Sequence, residues 1–163
     1  MNRFAKIMQS LGWLGVVLLA AVWTQGFFVR DQPPALARHS ILAIAAAGLC
    51  ILPRFWTIAY LPLAARGRAN RRPAGGRRAE ASARLRRLAT IAGVLALVGV
   101  AGSFALAGAV VLRKVTPLAH GLAGGVALAL QIGALLVERR ALLADAVEMR
   151  SLDAAAEPAS AAS

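Results

Sequence analysis

The sequence predicts an all-α integral membrane protein, a bundle of four transmembrane helices, on three observations. Of its 163 residues, 59% are hydrophobic, above the roughly one half expected of a soluble domain. The excess is gathered into four runs, each close to the roughly 20 apolar residues that cross about 30 Å of hydrocarbon. Lys and Arg are gathered on alternate connections between the runs, as in polytopic proteins of a bacterial inner membrane.

The first span is expected over residues 4–29. Arg3 and Lys6 precede an apolar stretch, Ile7 to Val29, that is too long for the hydrophobic region of a signal peptide. No A-x-A cleavage site follows, so the stretch reads as a retained helix, with Trp23, Phe27 and Phe28 at its outer interface. Pro33-Pro34 interrupt the chain before the second span, 35–61. Within that span Pro53 reads as a kink or lower boundary, and Phe55, Trp56 and Tyr60 as an inner aromatic belt beside Arg54.

A basic connection, 62–87, follows; its Arg/Gly/Pro-rich part covers 66–78, and 80–87 reads as a helical approach to the third span, 88–112. Gly99, Gly102, Ser103 and Gly108 allow a neighbouring helix to come close there. Lys114 and Pro117 mark a short turn before the fourth span, 118–137, which is read as ending at Glu138-Arg139-Arg140. One membrane domain therefore covers 1–150, and the Ala/Ser/Glu/Pro-rich tail 151–163 has the composition of disordered chain. The segment Val29-Arg30 through Leu36-Ala37-Arg38-His39 is echoed by Leu112-Arg113 through Leu118-Ala119-His120. That echo suggests two parallel helical-hairpin repeats.

Charge sets the expected orientation. Fifteen of the 19 Lys and Arg fall on the side that holds both termini and the 62–87 connection. The remaining four are Arg30, Arg38, Arg113 and Lys114. Positive charge stays on the cytoplasmic side, so both termini are expected there. The net charge of +12 does not point to nucleic acid, because ten of the cations lie between Arg54 and Arg87 without an aromatic or groove-reading motif. Anionic lipid is the partner expected at this basic loop. Cys50 is the single cysteine and sits in an apolar run, which excludes an intrachain disulfide or a CxxC dithiol.

The candidate site rests on the only two histidines, His39 and His120. Each lies a few residues inside the outer end of a span that runs outside to inside, so both are expected at one depth. Ionisable groups at membrane depth mark function by default. Ala43, Ala46 and Cys50 follow His39 at helical spacing, and Gly124, Ala127 and Gln131 follow His120. A flat macrocycle between helices needs imidazole for its iron and little side-chain volume beneath it. The pair therefore reads as axial metal ligands of haem b, with Gly124 and Gln131 lining the cofactor and Arg38 and Arg113 placed for its propionates. The alternative is interfacial histidines, lipid-phosphate partners for the cations, an interhelical hydrogen bond for Gln131 and ordinary packing of small residues.

The stretch from His39 to Leu143, about two-thirds of the chain, resembles the copper-resistance-D-like and HemJ-like small membrane proteins. The features that carry the resemblance are His39, Leu52-Pro53-Arg54, Arg84-Leu85-Arg86-Arg87-Leu88, Leu118-Ala119-His120 and Arg139-Arg140. It implies association with haem or copper. The HemJ-like pattern has a Lys two residues after the later His, where this chain has Leu122, so protoporphyrinogen oxidase activity is not carried over. Copper finds few soft ligands in Met1, Met8, Met149 and Cys50.

Two functions are therefore expected from the sequence. The leading one is a b-type haem protein that passes one electron to or from a quinone or partner subunit. The other is a non-catalytic accessory subunit of a larger membrane complex or a homo-oligomer. The scarcity of polar residues within the spans favours the second.

Overall fold

A computed structural model of the protein describes the backbone over 3–29, 33–69, 77–111 and 117–160. It describes side-chain surroundings over 3–25, 41–63, 80–105, 119, 121–148 and 150. Four helices are present: α1 Arg3–Val29, α2 Pro33–Ala69, α3 Arg77–Val111 and α4 Pro117–Ser160. Each contains a stretch long and apolar enough to cross a membrane: Arg3–Gln25, Ile41–Leu63, Glu80–Ala105 and Gly121–Glu148.

The helices differ from the sequence expectation at their ends, for local reasons. Pro33-Pro34 and Pro117 do not lie between helices but open α2 and α4. In the first turn a missing N–H has no intrahelical partner to lose, and the fixed φ of proline already suits a helix. Pro53 does not end α2, which runs on through it and through Pro62. Glu138-Arg139-Arg140 do not end α4, which continues over 141–150 and through Ser160 of the 151–163 stretch read as tail; Ala, Leu and Glu are strong helix formers.

Consecutive helices are antiparallel. Gly15 of α1 lies against Leu49 and Cys50 of α2, Gly93 of α3 against Ile58 of α2, and Gly99 of α3 against Ala127 of α4. Gln9 of α1 donates to the Leu135 carbonyl of α4 at 3.5 Å, which closes the ring α1–α2–α3–α4. Packing is heaviest within the α1/α2 and α3/α4 hairpins and lighter between them. α2 and α4 therefore face each other across a diagonal.

The interior inverts the pattern of a soluble bundle. Ala46, Ala96, Ala127 and Ala141 are fully buried, while Ile44 is 71% exposed and Val17, Phe55, Val98 and Leu122 also face outward. Large apolar side chains on the outside and small ones at helix contacts suit a lipid surround, where close packing rather than water exclusion holds helices together. Two apolar clusters fill the interior. One contains Leu19, Val22, Ala43, Ala46, Cys50 and Val100. The other contains Ala5, Leu61, Ala89, Ala141 and Leu142, with Trp56 and Tyr60 packed against it.

Candidate functional site

Between the two apolar clusters lies a network of polar side chains. Arg54 of α2 is buried to 1% exposure and reaches across the diagonal to α4. Its Nη1 donates to Glu138 Oε2, its Nε to Gln131 Oε1 at 3.2 Å and its Nη2 to the Gln131 carbonyl at 3.2 Å. Gln131 in turn donates through Nε2 to the Ala96 carbonyl of α3 at 3.1 Å. The second carboxylate oxygen of Glu138 accepts from Thr57 Oγ1, which also lies 2.9 Å from the Pro53 carbonyl. A hydroxyl has one proton, so Thr57 donates to only one of these oxygens at a time.

Helical spacing explains the convergence. Cys50, Arg54, Thr57 and Leu61 fall on one face of α2, and Gln131, Ala134, Glu138 and Leu142 on one face of α4; all are buried. These faces continue the stripes below His39 and His120. The stripes legible in the sequence end at Cys50 and Gln131, one turn before Arg54 on α2 and two turns before Glu138 on α4. By sequence alone Arg54 belongs to the interfacial charge and Glu138 to a helix terminus. Both are core residues. A guanidinium in the membrane interior costs roughly 2.5–3.5 kcal/mol at a span's centre, which a fully hydrogen-bonded carboxylate partner offsets.

Nearer the end of the bundle a second group joins α3 and α4. Arg86 Nη1 lies 2.9 Å from Asp145 Oδ1, 3.8 Å from Glu148 Oε2 and 3.2 Å from Ser82 Oγ. Ser82 donates to Glu148 at 3.0 Å. At this end Trp56 stacks on Tyr60, with ring centroids 4.7 Å apart, and meets Phe4 edge-on at 5.3 Å. Trp56 and Tyr60 are two of the three residues read from the sequence as an inner aromatic belt; the third, Phe55, faces outward.

The residues proposed from the sequence fare differently. The backbones of His39 and Arg38 lie in α2 and that of His120 in α4, but their side chains lie outside the described residues. Arg113 lies wholly outside them. Gly124 is described, and Trp23 of α1 rests on it: an added Cβ would overlap the indole nitrogen. Leu19, Ala20, Ser103 and Leu128 close a small cleft around this contact. Gln131 is committed to Arg54 and Ala96. Gly124 thus packs against an indole, and Gln131 hydrogen-bonds within the bundle. Among the described residues no group of three or more His, Cys, Asp or Glu could hold a metal ion.

These features define the class: a multi-pass helical membrane protein of four candidate spans with an ionic network at its centre. The chain matches no family model, no curated protein and no solved structure.

Proposed function

We propose that this chain is a non-catalytic accessory subunit of a larger complex in a bacterial-type inner membrane, with both termini in the cytoplasm. One observation carries the reading. The described polar side chains at the bundle centre are spent on neighbouring helices: Arg54 on Gln131 and Glu138, Gln131 on Ala96, Gln9 on Leu135. Such a network fixes the mutual register of helices rather than presenting donors and acceptors to a substrate. The outer faces, rich in Ile, Val, Leu and Phe, suit lipid or a partner's spans equally well. Orientation follows from the excess of cations on the side of the termini and the 62–87 connection.

A second reading, a b-type haem protein with His39 and His120 as axial ligands, is favoured by the burial of the stripes that follow each histidine. Ala43, Ala46 and Cys50, and likewise Gly124, Ala127 and Gln131, all face the bundle interior. Bound haem would supply a one-electron couple.

Purification of the tagged chain in mild detergent after haem-replete growth tests both. The accessory reading expects a stoichiometric membrane partner and no Soret band. A chain that purifies alone with a Soret band, lost in His39→Ala and in His120→Ala, would overturn it in favour of haem.

A further inference from the structure

Arginines at the aromatic end of the bundle are sorted by helix face. Arg54 and Arg86 turn inward, onto Glu138 and onto Asp145 and Glu148. Arg3 and Lys6 of α1, Arg84 and Arg87 of α3, and Arg139 and Arg140 of α4 are all exposed. Among the described residues no carboxylate pairs with any of these six. Of the described carboxylates at this end, Glu138, Asp145 and Glu148 turn onto Arg54 and Arg86, and Glu80 is exposed.

The six lie at nearly one level. Ala5, Ala89 and Ala141 belong to a single buried cluster. Lys6 and Arg140 adjoin two of these residues in sequence, and Arg87 precedes the third by two. Arg84 lies about one turn beyond Arg87. Five of the six also share a face with large exposed apolar side chains: Arg3 with Ile7 on α1, Arg84 and Arg87 with Leu88 and Ile91 on α3, Arg139 and Arg140 with Leu136 on α4. Stacked Trp56 and Tyr60, which pack on the same cluster, mark the level as a membrane interface.

We propose that this girdle of exposed cations is a binding surface for anionic phospholipid headgroups. Acyl chains would lie along Ile7, Ile91 and Leu136, and phosphates would meet the cations, whose long stems lie along the apolar faces. The girdle is distinct from the Arg-rich stretch 66–78: its cations stand on three packed helices. The inference rests on the membrane placement of this end, and needs neither a protein partner nor haem.

Native mass spectrometry of the detergent-purified full chain, titrated with phosphatidylglycerol and with phosphatidylcholine, tests it. The wild-type chain should retain phosphatidylglycerol preferentially. Replacing Arg84, Arg87, Arg139 and Arg140 with Gln should reduce that preference by roughly tenfold or more, since each interfacial cation contributes about 1 kcal/mol. The same change at Arg71, Arg72, Arg77 and Arg78 should leave most of it. Raised salt should abolish the preference of the wild-type chain, a check that needs no variant. Equal retention of the two lipids, a preference that survives salt, or one removed by the substitutions at Arg71, Arg72, Arg77 and Arg78 alone would each overturn the proposal.

Discussion

The guanidinium of Arg54 and the carboxylate of Glu138 meet across the diagonal of the bundle, both at 1% exposure, with Gln131 and Thr57 completing their hydrogen bonds. No other described ion pair is so deeply buried; Arg86 and Asp145 keep 17% and 11% of their side-chain surface. Removing one partner of the central pair leaves an uncompensated charge in a low-dielectric interior. Removing both takes away the charges and leaves a packing defect and the Gln131 side-chain oxygen without its donor.

From this we expect strong coupling between the two residues. Arg54→Met and Glu138→Leu should each destabilise the detergent-solubilised protein by about 3–5 kcal/mol. The double variant should recover most of that loss, as replacement of a buried pair by apolar side chains often does. Thermal unfolding of the four proteins provides the cycle. Additive losses would show that the two side chains do not act as a pair.

Close approach of α1 to α2 at Gly15 should be equally sensitive. A Cβ there would lie 2.8 Å from the Leu49 carbonyl carbon and 2.9 Å from the Cys50 nitrogen, backbone atoms that cannot step aside. Gly15→Ala should therefore cost about 1–3 kcal/mol through forced separation of the helices. Gly48→Ala, where nothing lies within 4 Å, should be tolerated. Equal unfolding temperatures for the two variants would contradict the described packing.

Contact between Trp23 and Gly124 can be read by fluorescence. In a background of Trp13→Phe and Trp56→Phe the emission reports Trp23 alone. Gly124→Ala should displace the indole and shift that emission. Gly125→Ala, on the open side of the same helix, should not. Unchanged spectra in both would place the indole elsewhere.

Orientation is tested by fusions. Reporters placed after Ser163 and at Gly75 should both behave as cytoplasmic, given the fifteen cations on that side. A periplasmic signal at either place would refute four spans with both termini inside.

The sequence by itself determined the number and approximate position of the spans. Partition of an apolar run into lipid is a nearly additive property of about 20 consecutive residues, so it is legible without knowledge of any contact. The small-residue stripes after His39 and His120 were legible too, because helical periodicity fixes which residues share a face. Which way a face points is another matter. A span that is apolar all round carries no periodic signal of its inner side. Only the packed bundle turned Arg54 and Glu138, 84 residues apart, toward one another, and turned Arg84 and Arg87 away from the interior while Arg86 faced it. The physical reason is that rotation about a helix axis is set by the neighbours it packs against, and for a buried charge by the single position where a counter-charge can meet it.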